Sequence, residues 1–337
     1  MRRLRTLAVA PTAMLTALLV AGCTTTAAPA RHDDGHGGAQ PTARASGSPR
    51  PVRYVVHTRT LPWHLPGPLA REAVVPLTGS RVEVAGGLLP DDTSSAATYT
   101  LDLASGQVQH GPALPVPVHD TAGASLGGHP VVLGGGNAAE QAVVQARSGH
   151  GWRVEGRLPT ARSDLATVTL GGRVLVIGGY DGVTPALGDV LASRDGRHWS
   201  RVARLPVPVR YPGVAVSGGA VWVLGGERNG AEVSVVQRID PATGRARVVG
   251  HLPHALGHEA VVALGRRLLV AGGRTSASTL TARMWWFDPA THRFHRAGRL
   301  PQRLADTAVV QGRGRAWLVG GETPTYSTRV LELSLAG

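Results

Sequence analysis

Six short stretches of this 337-residue chain concentrate side chains able to grip, stack or move protons: Arg71-Glu72, His119-Asp120, Arg162 with Asp164, Arg210-Tyr211, His258-Glu259, and Arg303 with Asp306. Carboxylates and imidazoles of this kind serve as general acids and bases. Arginine holds a carboxylate or phosphate through two parallel hydrogen bonds. Tyr211 offers a ring for stacking, and His119 and His258 are expected to gate binding between about pH 5 and 8, the range in which an unperturbed imidazole changes charge. Such residues act together only if the chain brings the six stretches to one place.

A regular repeat does this. Glycine pairs end six apolar runs: Gly86-Gly87, Gly134-Gly135, Gly178-Gly179, Gly225-Gly226, Gly272-Gly273 and Gly320-Gly321. Leu-Pro steps recur in phase at Pro66, Pro115, Pro159, Pro206, Pro253 and Pro301. A period of about 47 residues marks a repeat architecture. Each unit holds about four strand-like runs; in the third they are Leu165–Leu170, Arg173–Ile177, Gly188–Ser193 and Trp199–Ala203. Four-stranded antiparallel sheets at this period read as propeller blades. A strand that stops at two glycines fits that geometry, because backbones crowd where blades converge and a residue without Cβ accepts positive φ.

The chain resembles kelch-repeat proteins. The likeness rests on the glycine pairs, on Tyr180-Asp181-Gly182 after one of them, and on an aromatic residue seven positions before the proline of the next unit: Trp152 to Pro159, Trp199 to Pro206 and Phe294 to Pro301. It covers about 85% of the chain. Two units depart, with Val108 and Ala246 in place of the aromatic. The resemblance implies an all-β fold, a six-bladed β-propeller of kelch-like four-stranded blades. The last unit lacks a fourth strand, and Val52–Thr60 has no blade of its own, so this N-terminal strand is expected to close the ring and cover an edge. Ser193 to Trp199 also resembles the Asp-box of sialidases with one residue missing, a hairpin feature to which no chemistry is assigned.

In an up-and-down blade, the links between strands 1–2 and 3–4 lie on one face. Here they are stereotyped turn formers, such as Gly171-Gly172 and Asp240-Pro241-Ala242-Thr243-Gly244. The 2–3 links and the blade-to-blade links lie on the other face and vary in chemistry. The blade-to-blade links carry the six stretches; the 2–3 links carry Asp91-Asp92, Asn137, Tyr180-Asp181, Glu227-Arg228, Arg274, Glu322 and Tyr326. Varied polar loops on a rigid scaffold are the expected binding face. The ligand-binding candidates are Arg71, Glu72, His119, Asp120, Arg162, Asp164, Arg210, Tyr211, His258, Arg303 and Asp306, around a central channel.

The chain begins with Arg2, Arg3 and Arg5, an apolar stretch from Leu7 to Val20, and Val20-Ala21-Gly22-Cys23. This is the plan of a secretory signal peptide ending in a sequence that resembles the bacterial lipobox. Residues 1–22 are thus expected to be a lipoprotein signal peptide and Cys23, the only cysteine, the lipidated first residue of the mature protein. Residues 23–51 are rich in Ala, Thr, Gly, Pro and Ser and read as a flexible tether. The propeller then spans 52–337. His32, Asp33, Asp34 and His36 fall in the tether, and no metal or other cofactor is expected.

All 35 basic residues are arginine, and the formal charge is +13. They are scattered, with no run resembling a nucleic-acid-binding arm, so no nucleic-acid partner is expected. The expected protein is a monomer, anchored by its lipid to the outer face of the cytoplasmic membrane in the cell envelope. It is expected to bind a protein or glycan through the varied loop face. The alternative is a carbohydrate-active enzyme using carboxylates and histidines at the channel mouth. Kelch-like propellers include a sialic-acid mutarotase and copper-radical galactose oxidases. The oxidase chemistry needs a Cys–Tyr crosslink, and the sole cysteine is assigned to lipid.

Overall fold

The computed structural model describes residues 54–149 and 151–336. The signal-peptide, lipidation and tether assignments within residues 1–51 lie outside the described residues, as does the start of the closing segment at 52–53.

Six four-stranded antiparallel sheets form the propeller. Blade 1 comprises Ala73–Pro76, Arg81–Ala85, Thr98–Asp102 and Val108–His110; blade 2 comprises Ala122–Leu126, His129–Leu133, Val143–Ser148 and Gly151–Arg157. Blade 3 runs Ala166–Leu170, Arg173–Ile177, Asp189–Ser193 and Ser200–Arg204; blade 4 runs Gly213–Ser217, Ala220–Leu224, Ala231–Asp240 and Arg245–Leu256. Blade 5 is Ala260–Leu264, Arg267–Ala271, Arg283–Asp288 and Arg293–Arg299. Blade 6 takes Ala308–Gln311, Arg315–Val319 and Val330–Leu335 from the end of the chain and Val56–Thr60 from its other side. That last pair is antiparallel, with Val56 opposite Leu335 and Thr60 opposite Leu331. The closing strand is therefore present, and among the described residues it begins at Val56. The two units without the aromatic still form outer strands: Val108 begins a short one and Ala246 lies in the longest.

Two-residue turns fix the inner hairpins. Gly127-Gly128, Gly171-Gly172 and Gly218-Gly219 all have positive φ, as the primed turns that match strand twist require. The core lies between blades, not within them. Leu264, Leu269 and Trp286 of blade 5 pack with Leu318 and Leu333 of blade 6, and Val74 and Leu101 of blade 1 with Val319 and Val330 of blade 6.

The glycine pairs fasten each blade to the next. The N–H of the second glycine donates to a carbonyl of the following blade: Gly87 to Val118 at 2.8 Å, Gly135 to Arg162 at 2.9 Å, and on round to Gly321 and Leu69 at 2.9 Å. The first glycine sits flush against the same carbonyl. A Cβ on Gly86 would lie 2.6 Å from Val118 O, and the other five first glycines are as tight or tighter.

Candidate functional site

One residue in each blade-to-blade link takes a left-handed conformation although it is not glycine: Arg71, Asp120, Asp164, Tyr211, His258 and Asp306, with φ between 49° and 61°. Each stands two residues before its innermost strand, at the same point of the repeat. Five backbone hydrogen bonds join neighbouring members: Asp164 N to Asp120 O at 2.9 Å, Tyr211 N to Asp164 O at 2.8 Å, His258 N to Tyr211 O at 3.1 Å, Asp306 N to His258 O at 3.1 Å, and Arg71 N to Asp306 O at 3.2 Å. The result is a belt of six polar side chains of four types around the axis, three of them aspartate. Strained φ at a non-glycine residue costs about 1–2 kcal/mol. Here the belt bonding offsets it.

The belt stands at one end of a central cavity of about 610 Å³, which follows the six innermost strands. At the other end Pro76, Thr169 and Gln311 are exposed among the hairpin turns.

A second set of side chains surrounds the belt. Glu227, Arg274 and Glu322 each follow a glycine pair directly, and each bridges back to the residue before a belt member. Arg71 donates to Glu322 at 2.7 Å, to Asp120 at 3.1 Å and to the Tyr211 hydroxyl at 3.3 Å. Arg274 donates to Asp306 at 3.2 Å and pairs with Glu322. Arg210 meets Asp164 at 3.3 Å and Glu227 at 3.0 Å. Its guanidinium lies between the rings of Tyr180 and Tyr211, 5.2 and 5.3 Å from their centroids. His258 Nδ1 lies 2.5 Å from Asp306, its Nε2 lies 3.5 Å from Glu227, and its ring stacks on Tyr211 at 3.9 Å.

These contacts set the protonation states. Burial works against a charge on His258, but Asp306 and Glu227 outweigh it and lift its pKa to about 9. Burial likewise opposes ionisation of Asp306, and His258, Arg71 and Arg274 overcome it, holding the carboxyl well below the usual range. Asp164 goes the other way: burial and the neighbouring Asp120 push it up to about 7 against the pull of Arg210. Arg71, Arg210, Arg274 and protonated His258 thus face four carboxylates, Asp120, Asp306, Glu227 and Glu322, with Asp164 half-titrated near neutrality. The mouth is densely charged and nearly balanced.

The structure divides the sequence candidates. Arg71, Asp120, Asp164, Tyr211, His258 and Asp306 form the belt, with Arg210 and His119 one residue outside it; His119 Nδ1 lies 2.8 Å from the Ser94 hydroxyl. Three candidates, Arg162, Arg303 and Glu72, are placed elsewhere, as is Glu259 beside His258. Arg162 is only 1% exposed, at the repeat position filled by Leu69, Val118, Val209, Leu256 and Leu304 in the other blades, and it donates to Gly178 O at 3.1 Å. It is a structural cation inside the scaffold. Arg303 is exposed, and among the described residues it forms no ion pair with the belt. Glu72 and Glu259 point into seams between blades, against the glycines Gly320 and Gly225, instead of into the mouth. Among the described residues, both oxygens of Glu72 and one of Glu259 have no hydrogen-bond partner, and burial raises both carboxyls to about 8. Glu227, Arg274 and Glu322 were legible only as loop residues. Their position immediately after a glycine pair is the signal that places them beside the belt.

Six four-stranded blades around a polar-mouthed channel, closed by a strand from the far end of the chain, define a six-bladed β-propeller. The Kelch motif matches residues 260–301, which covers blade 5. The solved structure of YjhT has the same fold, with a TM-score of 0.70 at 16% identity over 82% of this chain and 99% of its own. No curated protein matches the chain. Motif and fold together support a kelch-repeat β-propeller.

Proposed function

We propose that this protein is a binding module that takes a polar, uncharged ligand at the belt, with a hydroxyl-rich glycan as the best fit and a short peptide segment as the other candidate. One observation carries this reading. Six equivalent positions hold an arginine, a tyrosine, a histidine and three aspartates at one channel end, while the opposite face repeats the same turns. The near balance of charge disfavours a strongly ionic ligand. Arginines and carboxylates in alternation match the donors and acceptors of sugar hydroxyls, and Tyr180 offers a ring at the mouth. Lipidation of Cys23 would hold the module at the envelope. Mass spectrometry of membrane-extracted protein checks this, with an unmodified peptide spanning Gly22-Cys23 as the contrary result.

Screening of neutral glycans and peptides tests the site. Arg210→Ala should weaken the hit by about 1 kcal/mol or more. Arg197→Ala, on the opposite face beside Glu155, should leave it unchanged. The reverse pattern would overturn the assignment.

Asp164 favours a second reading. A carboxyl near pKa 7 beside Asp120 and Arg210 is poised for general acid–base work on a sugar. Turnover of a bound sugar that falls at least tenfold in Asp164→Asn, with binding retained, would establish it.

A further inference from the structure

A different cluster lies on the outer wall, where blades 4 and 5 meet. In blade 5 Arg283 stands opposite Arg299, Trp285 opposite Arg296, and Phe287 opposite Phe294. Strand alternation places all six on one face of the sheet. That face looks towards blade 4, because Trp285, Phe287 and Phe294 pack with Trp222, Val249 and Leu252 of that blade. Towards the rim the packing ends. Arg283, Arg296 and Arg299 are exposed, and Trp285 is half-buried. The Arg296 guanidinium lies 5.9 Å from the centre of the Trp285 ring. His254, from the outer strand of blade 4, stands edge-on to Trp285 at 5.9 Å, and Arg283 Nη1 donates to its Nε2 at 3.0 Å.

The charge here is unanswered. Some outer-strand arginines have carboxylates: Arg153 meets Glu155, Arg201 meets Asp189 and Arg59 meets Glu332. Arg157, Arg204, Arg245 and Arg247 have none among the described residues, but no tryptophan stands opposite them across the strand pair. Among the described residues, Arg283, Arg296 and Arg299 make no such pair. Two guanidinium groups directly opposite on paired strands repel each other. Arg283 turns instead to a histidine ring, a weak substitute for an anion. A flat aromatic plate flanked by three uncompensated guanidinium forks complements a ring that carries an anionic group.

We infer that this seam binds a carboxylated sugar unit of an acidic glycan, with the pyranose ring on Trp285 and its carboxylate held by Arg283 and Arg296. The cations sit in one compact group across adjacent strands. They do not form the extended track that follows a nucleic-acid backbone. The site is separate from the belt, whose charges already cancel.

The test uses the full-length protein and three probes: an oligogalacturonate, an uncharged cello-oligosaccharide and an oligothymidylate. Isothermal titration should show oligogalacturonate binding that weakens as salt rises. Arg283→Gln with Arg296→Gln should reduce its affinity at least tenfold, and Trp285→Phe at least threefold. Arg210→Ala at the belt should leave it within twofold. The changed arginines are exposed, so the melting temperature should hold, and circular dichroism checks that it does. No binding of oligogalacturonate overturns the inference, as does unchanged affinity in the double variant. Tighter binding of the oligothymidylate would make the seam a nucleic-acid site instead. Equal loss in Arg210→Ala would place the acidic sugar at the belt, and then only this inference fails.

Discussion

His258, Asp306, Glu72 and Glu259 are within two residues of the belt or part of it, yet they answer pH differently. His258 has its pKa raised from 6.5 to about 9 by its carboxylate partners, so its contribution to stability is complete below pH 6.5 and lost as pH rises through 9. Glu72 and Glu259 are raised from 4.5 to about 8 by burial; ionising them opposes folding, and stability falls as pH climbs from 4.5 to 8. Asp306 is depressed, so its contribution disappears only in strong acid. The signs combine to put the melting maximum in mildly acidic solution, with a decline toward pH 9. Glu72→Gln mimics the protonated acid and should stabilise by about 1 kcal/mol or more at pH 8 but not at pH 4, as thermal melts at both values will show. Asp306→Asn strips His258 and Arg274 of their shared carboxylate and should cost about 3 kcal/mol, read from urea melts. The sequence displayed these residue types and even their equivalence. It did not display which neighbours would answer their charges, since Asp306 meets His258 from 48 positions away.

At the scale of the element, the glycine pair is a joint. Its first member lies against a carbonyl of the next blade and its second donates to that carbonyl, so one dipeptide excludes a side chain and makes a bond. Gly178→Ala would set a Cβ against Val209 O at φ 65°, and should destabilise by about 3 kcal/mol, combining the left-handed penalty with a backbone shift. Gly171 has a similar φ of 59° but open space around it, and Gly171→Ala should cost only about 1 kcal/mol. Urea titration of the two variants separates crowding from conformation; equal losses would show that crowding contributes nothing. The pairs and their period were plain in the sequence because every blade meets the same constraint. Strand limits were less so: the second strand of blade 3 was fixed by the turn glycines on one side and the pair on the other, whereas the closing strand had no such punctuation and begins at Val56.

For the whole molecule, closure is the controlling fact. Val56–Thr60 covers the edge of Val330–Leu335, and the blade 6–blade 1 seam is stitched by the Gly321–Leu69 bond and the Arg71–Asp306 belt bond. Deleting residues 56–60 removes a full strand of pairing, exposes an edge and should lower the melting temperature by about 10 °C or more with a tendency to self-associate. Scanning calorimetry and light scattering read both outcomes, and an unchanged melting temperature would show that the ring holds without its clasp.

The sequence by itself determined the all-β class, the number of blades, the turn face and the varied face. All of these follow from a repeat whose local rules are restated about every 47 residues. Tertiary structure alone decided that Arg162 is buried scaffold, that Glu72 and Glu259 turn into the seams, and that Glu227, Arg274 and Glu322 join the belt. It also decided that Arg283 and Arg296 stand beside Trp285 with no carboxylate partner among the described residues. The physical reason is the same in each case. A repeat fixes where a residue sits in its blade, but burial, pairing and charge depend on the side chain that the adjoining blade happens to present.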